Sequence, residues 1–233
     1  MTDEMMRYCR RCGTCCRKGG PTLHLEDLRL LDEGILPPSH LFTIRAGEPV
    51  HDNIRGGIHP VEEDLVKIRG AGDTWACIYY DEARKGCRIY ENRPLECRVL
   101  KCWDTAEIEA VYVRDRFSRR LLLNGAKQLW ELIEDHQTRC DYAEISTLLN
   151  DLRRRDPQAD RLLREKVLYD IHLRVLVVER GLAAMEMTPF LFGRPLVETL
   201  KPLGVVCQTT DGFLKLFSQE PGGRPMNRKF GRP

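Results

Sequence analysis

Cys9-Arg10-Arg11-Cys12-Gly13-Thr14-Cys15-Cys16 places four thiols within eight residues. Packing does not account for them. A buried cysteine behaves as a small hydrophobe, yet these alternate with Arg10, Arg11 and Arg17, residues that an apolar core rejects. Gly13 permits a tight backbone turn, so that the thiolates can converge on one point. A metal is the simplest agent that stabilises such a loop, ahead of disulfides or a thiol cluster with a purely redox role. Side chains one residue apart diverge in a strand and lie about 100° apart on a helix. Cys15 and Cys16 are therefore expected to serve two metals, or one of them to lie outside the coordination shell.

A second group follows at Cys77, Cys87, Cys97 and Cys102. Aromatic and β-branched runs flank the polar stretch Asp81–Gly86, which is a hairpin pattern. Such a hairpin brings Cys77 and Cys87 to neighbouring ends of paired strands. Pro94 suits the first turn of a short helix that carries Cys97 and extends toward Cys102.

Between the two groups, Leu28 and Leu31 suit a short helix over Glu26–Glu33, with Gly34 just past its end. Pro37-Pro38 then breaks the chain. Phe42-Thr43-Ile44 and Leu65-Val66-Lys67-Ile68 read as short strands among loops. From Asp104 the pattern becomes helical: Asp104 with Glu107 and Asp141 with Glu144 look like caps with an acid three residues on. Asp156-Pro157 predicts a helix start. That helix runs to about Arg180, with Leu162, Leu163, Val167, Ile171 and Val175 on one face and Gly181 ending it. Val205–Gln208 and Phe213–Phe217 form a hairpin around Asp211-Gly212. The expected class is α+β, mainly α. A small irregular cysteine-rich metal-binding domain with short hairpins covers residues 1–103, a helical region with a C-terminal hairpin covers 104–217, and a flexible basic tail covers 218–233.

The 233 residues are 42% hydrophobic and 31% charged, enough for an ordinary core, with a net charge of +2. This near-balance gives no general case for nucleic acid or an anionic membrane as partner. The start, Met1–Met6, has no secretory pattern. The longest apolar run, Val175–Val178, falls far short of the roughly 18 residues that span a bilayer. The expectation is a cytoplasmic protein whose thiols stay reduced and act as ligands. Its helical region is the expected contact for any protein partner.

Together the two groups read Cys9-x2-Cys12-x2-Cys15-Cys16 and Cys77-x9-Cys87-x-Ile89-Tyr90-x2-Arg93-Pro94-x2-Cys97-Arg98. The pattern resembles the CxxCxxCC, or YkgJ-type, cysteine-cluster family, described as a zinc- or iron-chelating domain, over about residues 7–102. The resemblance implies metal ligation by Cys9, Cys12, Cys15, Cys16, Cys77, Cys87 and Cys97, and Cys102 extends the pattern loosely. A weaker likeness of the cysteine-rich start to flagellin lysine N-methylases implies that modification of a protein substrate is conceivable.

Eight thiolates suffice for two tetrahedral zinc sites. Cys9-x2-Cys12-x2-Cys15 is equally the spacing of the first three ligands in bacterial [4Fe–4S] runs, although no proline follows the fourth candidate. Arg10, Arg11, Arg88, Arg93 and Arg98 offset thiolate charge and raise a cluster's potential, with Arg93 and Arg98 as candidates to contact the cofactor. The balance favours a [4Fe–4S] iron–sulfur cluster over zinc. In the first case the protein serves electron transfer or protein modification; in the second it is a structural module without catalysis. No glycine-rich S-adenosylmethionine loop and no CxxxCxxC spacing occurs, and no acid, base or nucleophile stands out. Cys140 and Cys207 read as ordinary thiols. His24, His40, His51, His59, His136 and His172 show no paired metal spacing. Tyr79, Tyr80 and Tyr90 read as core of the cysteine-rich half.

Overall fold

The computed structural model describes residue 9 and residues 11–72, 74–210 and 213–218. In chain order its elements are helix α1 (Thr14–Arg17), α2 (Leu28–Asp32), strands β1 (Leu41–Ile44), β2 (Pro49–His51), β3 (Ile58–Pro60), β4 (Leu65–Ile68), β5 (Tyr80–Asp81) and β6 (Gly86–Cys87). Helices α3 (Leu95–Val99), α4 (Ala106–Val111), α5 (Arg119–Leu122), α6 (Lys127–Arg139), α7 (Tyr142–Arg153), α8 (Pro157–Glu179), α9 (Thr188–Phe192) and α10 (Leu196–Thr199) follow. The hairpin β7 (Val205–Thr210) and β8 (Phe213–Ser218) comes last. The architecture is α+β and mainly α. The Asp211-Gly212 turn, and the expected basic tail beyond Ser218, lie outside the described residues.

Strand β4 is the scaffold of the cysteine-rich half. It pairs antiparallel with β1, Leu41 opposite Ile68 and Ile44 opposite Leu65. Along its other edge runs the segment after the first cysteine loop: Leu23 N–H donates to Val66 O at 2.8 Å and Ile68 N–H to Pro21 O at 3.1 Å. Gly20 is required there, because a Cβ would stand 2.2 Å from the Ile68 carbonyl oxygen. Immediately past β4, Gly70 bridges Cys77, and Ile78 N–H donates to Arg69 O at 3.0 Å. One short strand thus carries residues 16–23 and 76–78 to the same end of the sheet.

The first core joins both halves of the chain. Leu23, Leu30, Leu36, Leu41, Val66 and Ile68 pack with Phe117, Ile133, Leu173, Val177 and Phe190–Phe192. Each fully buried aliphatic or aromatic side chain contributes about 1.5–3 kcal/mol. Thr43 Oγ1 ties β1 to α9 by donating to Phe190 O at 2.6 Å. A second core gathers Tyr142, Ile145, Leu148, Leu149, Leu163, Val167, Leu196 and Leu200 with the C-terminal hairpin.

Local chemistry places several boundaries as expected. Asp141 accepts from Glu144 N at 2.9 Å, and Asp156 accepts from Gln158 N at 2.8 Å with Pro157 opening α8. Two details differ. Asp104 accepts from Ala106 N one residue before the true cap position, Thr105. The buried stripe of α8 is Ala159, Leu163, Val167, Asp170, Leu173, Arg174 and Val177, whereas the expected face member Val175 is 41% exposed. The rotation follows from a buried ion network. Asp170 accepts from His136 Nε2 at 2.7 Å, Arg174 Nε at 3.0 Å and Leu196 N at 2.9 Å. Once satisfied in this way, charged side chains can occupy core positions.

Candidate metal centre

Gly13 turns the first cysteine loop. Its φ is +76°, the left-handed region that glycine enters without steric penalty, and a Cβ there would lie 2.0 Å from Tyr80 Oη. The phenol occupies the space the missing side chain leaves. Arg17 fastens the same turn by donating to Cys12 O at 3.0 Å, Tyr80 Oη at 2.9 Å and Glu82 Oε2 at 3.0 Å. Its guanidinium also lies 5.1 Å from the Tyr80 ring. The loop therefore closes through contacts made with the second cysteine segment.

Cys15 and Cys16 sit on α1, with their sulfurs 3.9 Å apart. This corrects the expectation that neighbouring cysteines diverge: on so short a helix the two side chains turn toward each other. Hydrogen bonding between the two lowers the Cys15 thiol and raises that of Cys16. Cys77 N–H donates to Cys16 O at 2.7 Å, which clips the two motifs together. Cys77 is buried, and loss of solvation raises its thiol; Cys87 is half-buried and raised for the same reason. Cys97, on α3, is pushed well up, first by desolvation and then by the charges of Cys77, Cys87 and Cys15. Five thiols, from Cys15, Cys16, Cys77, Cys87 and Cys97, thus share one neighbourhood. Cys12 borders it: its thiol meets Thr14 Oγ1 at 3.3 Å and is lowered by that bond, while its charge bears on Tyr80.

Cys9 and Cys102 are at the surface. Cys9 is exposed, its sulfur accepting from Arg11 N at 3.4 Å. Cys102 is exposed in the turn closed by the Lys101–Asp104 bridge, because α3 ends at Val99 and does not reach it. Pro94 caps α3 rather than occupying its first turn. In the second hairpin Cys87 stands opposite Tyr80, not Cys77. Cys140 is buried in the second core and Cys207 is half-buried, both away from the thiol group.

Among the arginines, Arg88 and Arg93 place positive charge near Cys87. Arg88 also donates to Ile78 O. Arg93 Nε donates to Tyr90 O at 2.8 Å and its guanidinium stacks 3.8 Å from the Tyr90 ring centroid. Arg98 turns away, donating to Arg93 O at 3.0 Å and pairing with Glu26.

Behind Cys97 lies an anchor that sequence reading missed. Glu96 is 8% exposed and accepts from Thr22 N at 2.7 Å, with His24 Nε2 at 3.5 Å. Asp27 accepts from His24 N at 3.0 Å and Leu95 N at 2.8 Å. These bonds pin the α3 N-terminus, and so Cys97, to the strand beside β4. The one available signal was an acid beside a ligand-type cysteine in a helix too short to be amphipathic.

As the side chains stand, no three His, Cys, Asp or Glu residues among those described form a ready-made metal cage. The donor chemistry nevertheless fits a thiophilic metal. Among the described residues, buried Cys77 has no carboxylate or cation in a direct bond, so ionising it requires a counter-ion. The 3.9 Å sulfur pair is close to the roughly 3.8 Å edge of a tetrahedron with metal–sulfur bonds of about 2.3 Å.

No helix among the described residues is long and apolar enough to cross a membrane. No curated protein and no solved structure matches the chain. The spacing of the cysteines and their soft donor chemistry agree with a family-model match: residues 8–117 are similar to the CxxCxxCC family, described as "Putative zinc- or iron-chelating domain".

Proposed function

We propose that the chain is a cytoplasmic protein whose N-terminal and central cysteines hold an iron–sulfur cluster of the [4Fe–4S] type, serving electron transfer or modification of a protein substrate. The observation that supports this reading is the number of thiols in one neighbourhood. Cys15, Cys16, Cys77, Cys87 and Cys97, with Cys12 at their edge, can supply the four thiolates that such a cluster takes, and the positive charge of Arg88 and Arg93 beside Cys87 favours a multiply anionic centre. When bound, such a cluster supplies one-electron chemistry at a potential set by net charge, hydrogen bonds to sulfur and solvent exposure. The chain's own residues set each of these. Arg88 and Arg93 place positive charge beside Cys87, burial of Cys77 excludes water, and the Cys16–Cys77 backbone bond fixes the relation of the two motifs.

A second reading, a closed zinc site without catalysis, is favoured by the Cys15–Cys16 separation of 3.9 Å, which suits two thiolates on one ion. Elemental analysis, acid-labile sulfide and an absorption spectrum on anaerobically purified protein separate the two. About four irons and four sulfides per chain support the cluster. One or two zincs without sulfide support the structural site, and a metal-free chain would sink both.

A further inference from the structure

Away from the thiols, a cleft of about 370 Å³ opens where the end of β1 and the start of β4 meet α5 and α6. That volume falls at the small end of ligand sites, which run from about 300 to 1,000 Å³. Phe117, Ile133 and Trp130 give the cleft an apolar wall, and its charged groups are sorted by depth. Deepest is Arg119, 3% exposed, whose Nε stands 2.8 Å from Asp64 Oδ2 without the alignment of a hydrogen bond. Its Nη1 donates to Leu191 O. Glu63 and Glu134 are exposed and form an acidic mouth; Arg116, half-buried, donates to Tyr112 O at 2.8 Å. Behind the floor lies Arg45, fully buried over the Tyr142 ring, its Nη1 donating at 3.3 Å to Gln137, which lines the cleft. The buried charges do not cancel. Among the described residues, Arg119 pairs with Asp64 and Arg194 with Glu48, yet no carboxylate comes within ion-pair distance of Arg45, and its Nε and Nη2 have no acceptor. Glu48 is taken by Arg194 Nε at 2.8 Å and by the Arg45 main-chain N–H at 3.2 Å. A buried cation without a counter-ion is costly, so the floor carries one positive charge more than the described side chains neutralise.

We propose that this cleft binds an apolar α-amino acid. Its carboxylate meets Arg119, with the unmatched charge of Arg45 behind. Its ammonium meets Asp64, with Glu63 and Glu134 adding to the attraction, and its side chain lies on Phe117, Ile133 and Trp130. Arg119 and Asp64 stand side by side, which suits opposite charges carried on one carbon. A plain carboxylic acid would face the acidic mouth with no charge to match it, and a plain amine would leave the Arg45 charge uncompensated. No cysteine lines the cleft, so amino-acid binding and metal binding succeed or fail separately.

Titration calorimetry of the full chain with L-leucine and with L-phenylalanine reads the site directly. Saturable binding of at least one is expected. The matching acid without the amine, and the matching amine without the carboxylate, should each bind about ten- to a hundredfold more weakly, since each lacks one charge-assisted bond. Glu63→Gln, an exposed change, should weaken binding about two- to fivefold. Arg45→Met keeps a stem to pack on Gly193 and should weaken binding by about tenfold or more. Its ligand-free melting temperature should stay at or above that of the wild type, because an unpaired buried cation is gone. A lower melting temperature with unchanged affinity would make Arg45 purely structural and overturn the assignment. So would the absence of saturable heat for both amino acids at millimolar concentration, or an acid or amine analogue that binds as tightly as the amino acid. Should Arg45→Met fail to fold, Glu63→Gln and the two analogues still decide the outcome.

Discussion

Replacing Asp170 by alanine tests the buried ion network that orients α8. The carboxylate is fully buried and accepts four bonds: His136 Nε2 at 2.7 Å, Arg174 Nε at 3.0 Å and Nη2 at 2.8 Å, and Leu196 N at 2.9 Å. Burial opposes its charge, but His136 and Arg174 outweigh that and hold the carboxyl below the usual range. Alanine removes the anion and leaves the Arg174 cation in place, with backbone carbonyls as its remaining acceptors: Thr188 O at 3.1 Å, Phe192 O at 3.2 Å and Arg194 O at 3.5 Å. Breaking a buried pair in this way costs about 3–5 kcal/mol, because one charge stays uncompensated. For a chain of this length each kcal/mol moves the melting temperature by about 2–4 °C, so a fall of roughly 6–20 °C is expected. Calorimetry or thermal circular dichroism reads it directly. Asp170→Ala/Arg174→Met should recover part of the loss, since the stranded cation is gone. A drop of less than about 3 °C in the single variant, on the same scale, would refute the reasoning; so would a double variant less stable than the single.

Three further outcomes follow from particular residues. Cys12→Ser and Cys87→Ser should lose metal and lower the melting temperature, whereas Cys102→Ser and Cys140→Ser should keep full metal by elemental analysis. Full retention in Cys87→Ser would show the two-segment centre to be wrong. Gly13→Ala pushes a Cβ to 2.0 Å from Tyr80 Oη at φ +76°; backbone strain alone costs about 1–3 kcal/mol, and Tyr80 must also move. Reduced metal content and a lower melting temperature are expected, and wild-type values for both would contradict the packing described. His136 is held down to about 4, chiefly by burial, so between that value and 6.5 the unfolded chain binds a proton that the folded chain refuses. Its contribution, about 3 kcal/mol, is complete above pH 6.5 and is lost as the pH falls toward 4. Melting temperatures of His136→Gln should fall less steeply than those of the wild type across that window, and equal slopes would exclude the assignment.

Much of the local structure was readable from spacing. Asp141 and Asp156-Pro157 announce α7 and α8 because a cap acts within three residues of itself. The pairing of Leu41–Ile44 with Leu65–Ile68 was half visible: both runs read as strands, but nothing in either names its partner. The metal-binding character of the chain was legible for a similar reason. Four thiols in eight residues have few alternative explanations, and their order with the Cys87–Cys97 segment carries the likeness to the CxxCxxCC family. The burial of α8 was misread because the stripe was sought among apolar residues, and Asp170 and Arg174 become core-compatible only with His136 and the Leu196 amide beside them.

The sequence by itself determined the donor chemistry, the class of fold and several element boundaries, since each depends on residue types within a few positions of one another. Tertiary structure alone decided which thiols meet. Cys102 is left in a surface turn, Cys15 and Cys16 face each other, and Cys16 is clipped to Cys77. It also gave the arginines of the first loop their partners, Glu82 for Arg17 and Tyr90 for Arg11. The physical reason is that a hydrogen bond or a stack depends on distance in space. Residues so far apart in the chain come within reach only after β4 has brought the two cysteine segments to one end of the sheet.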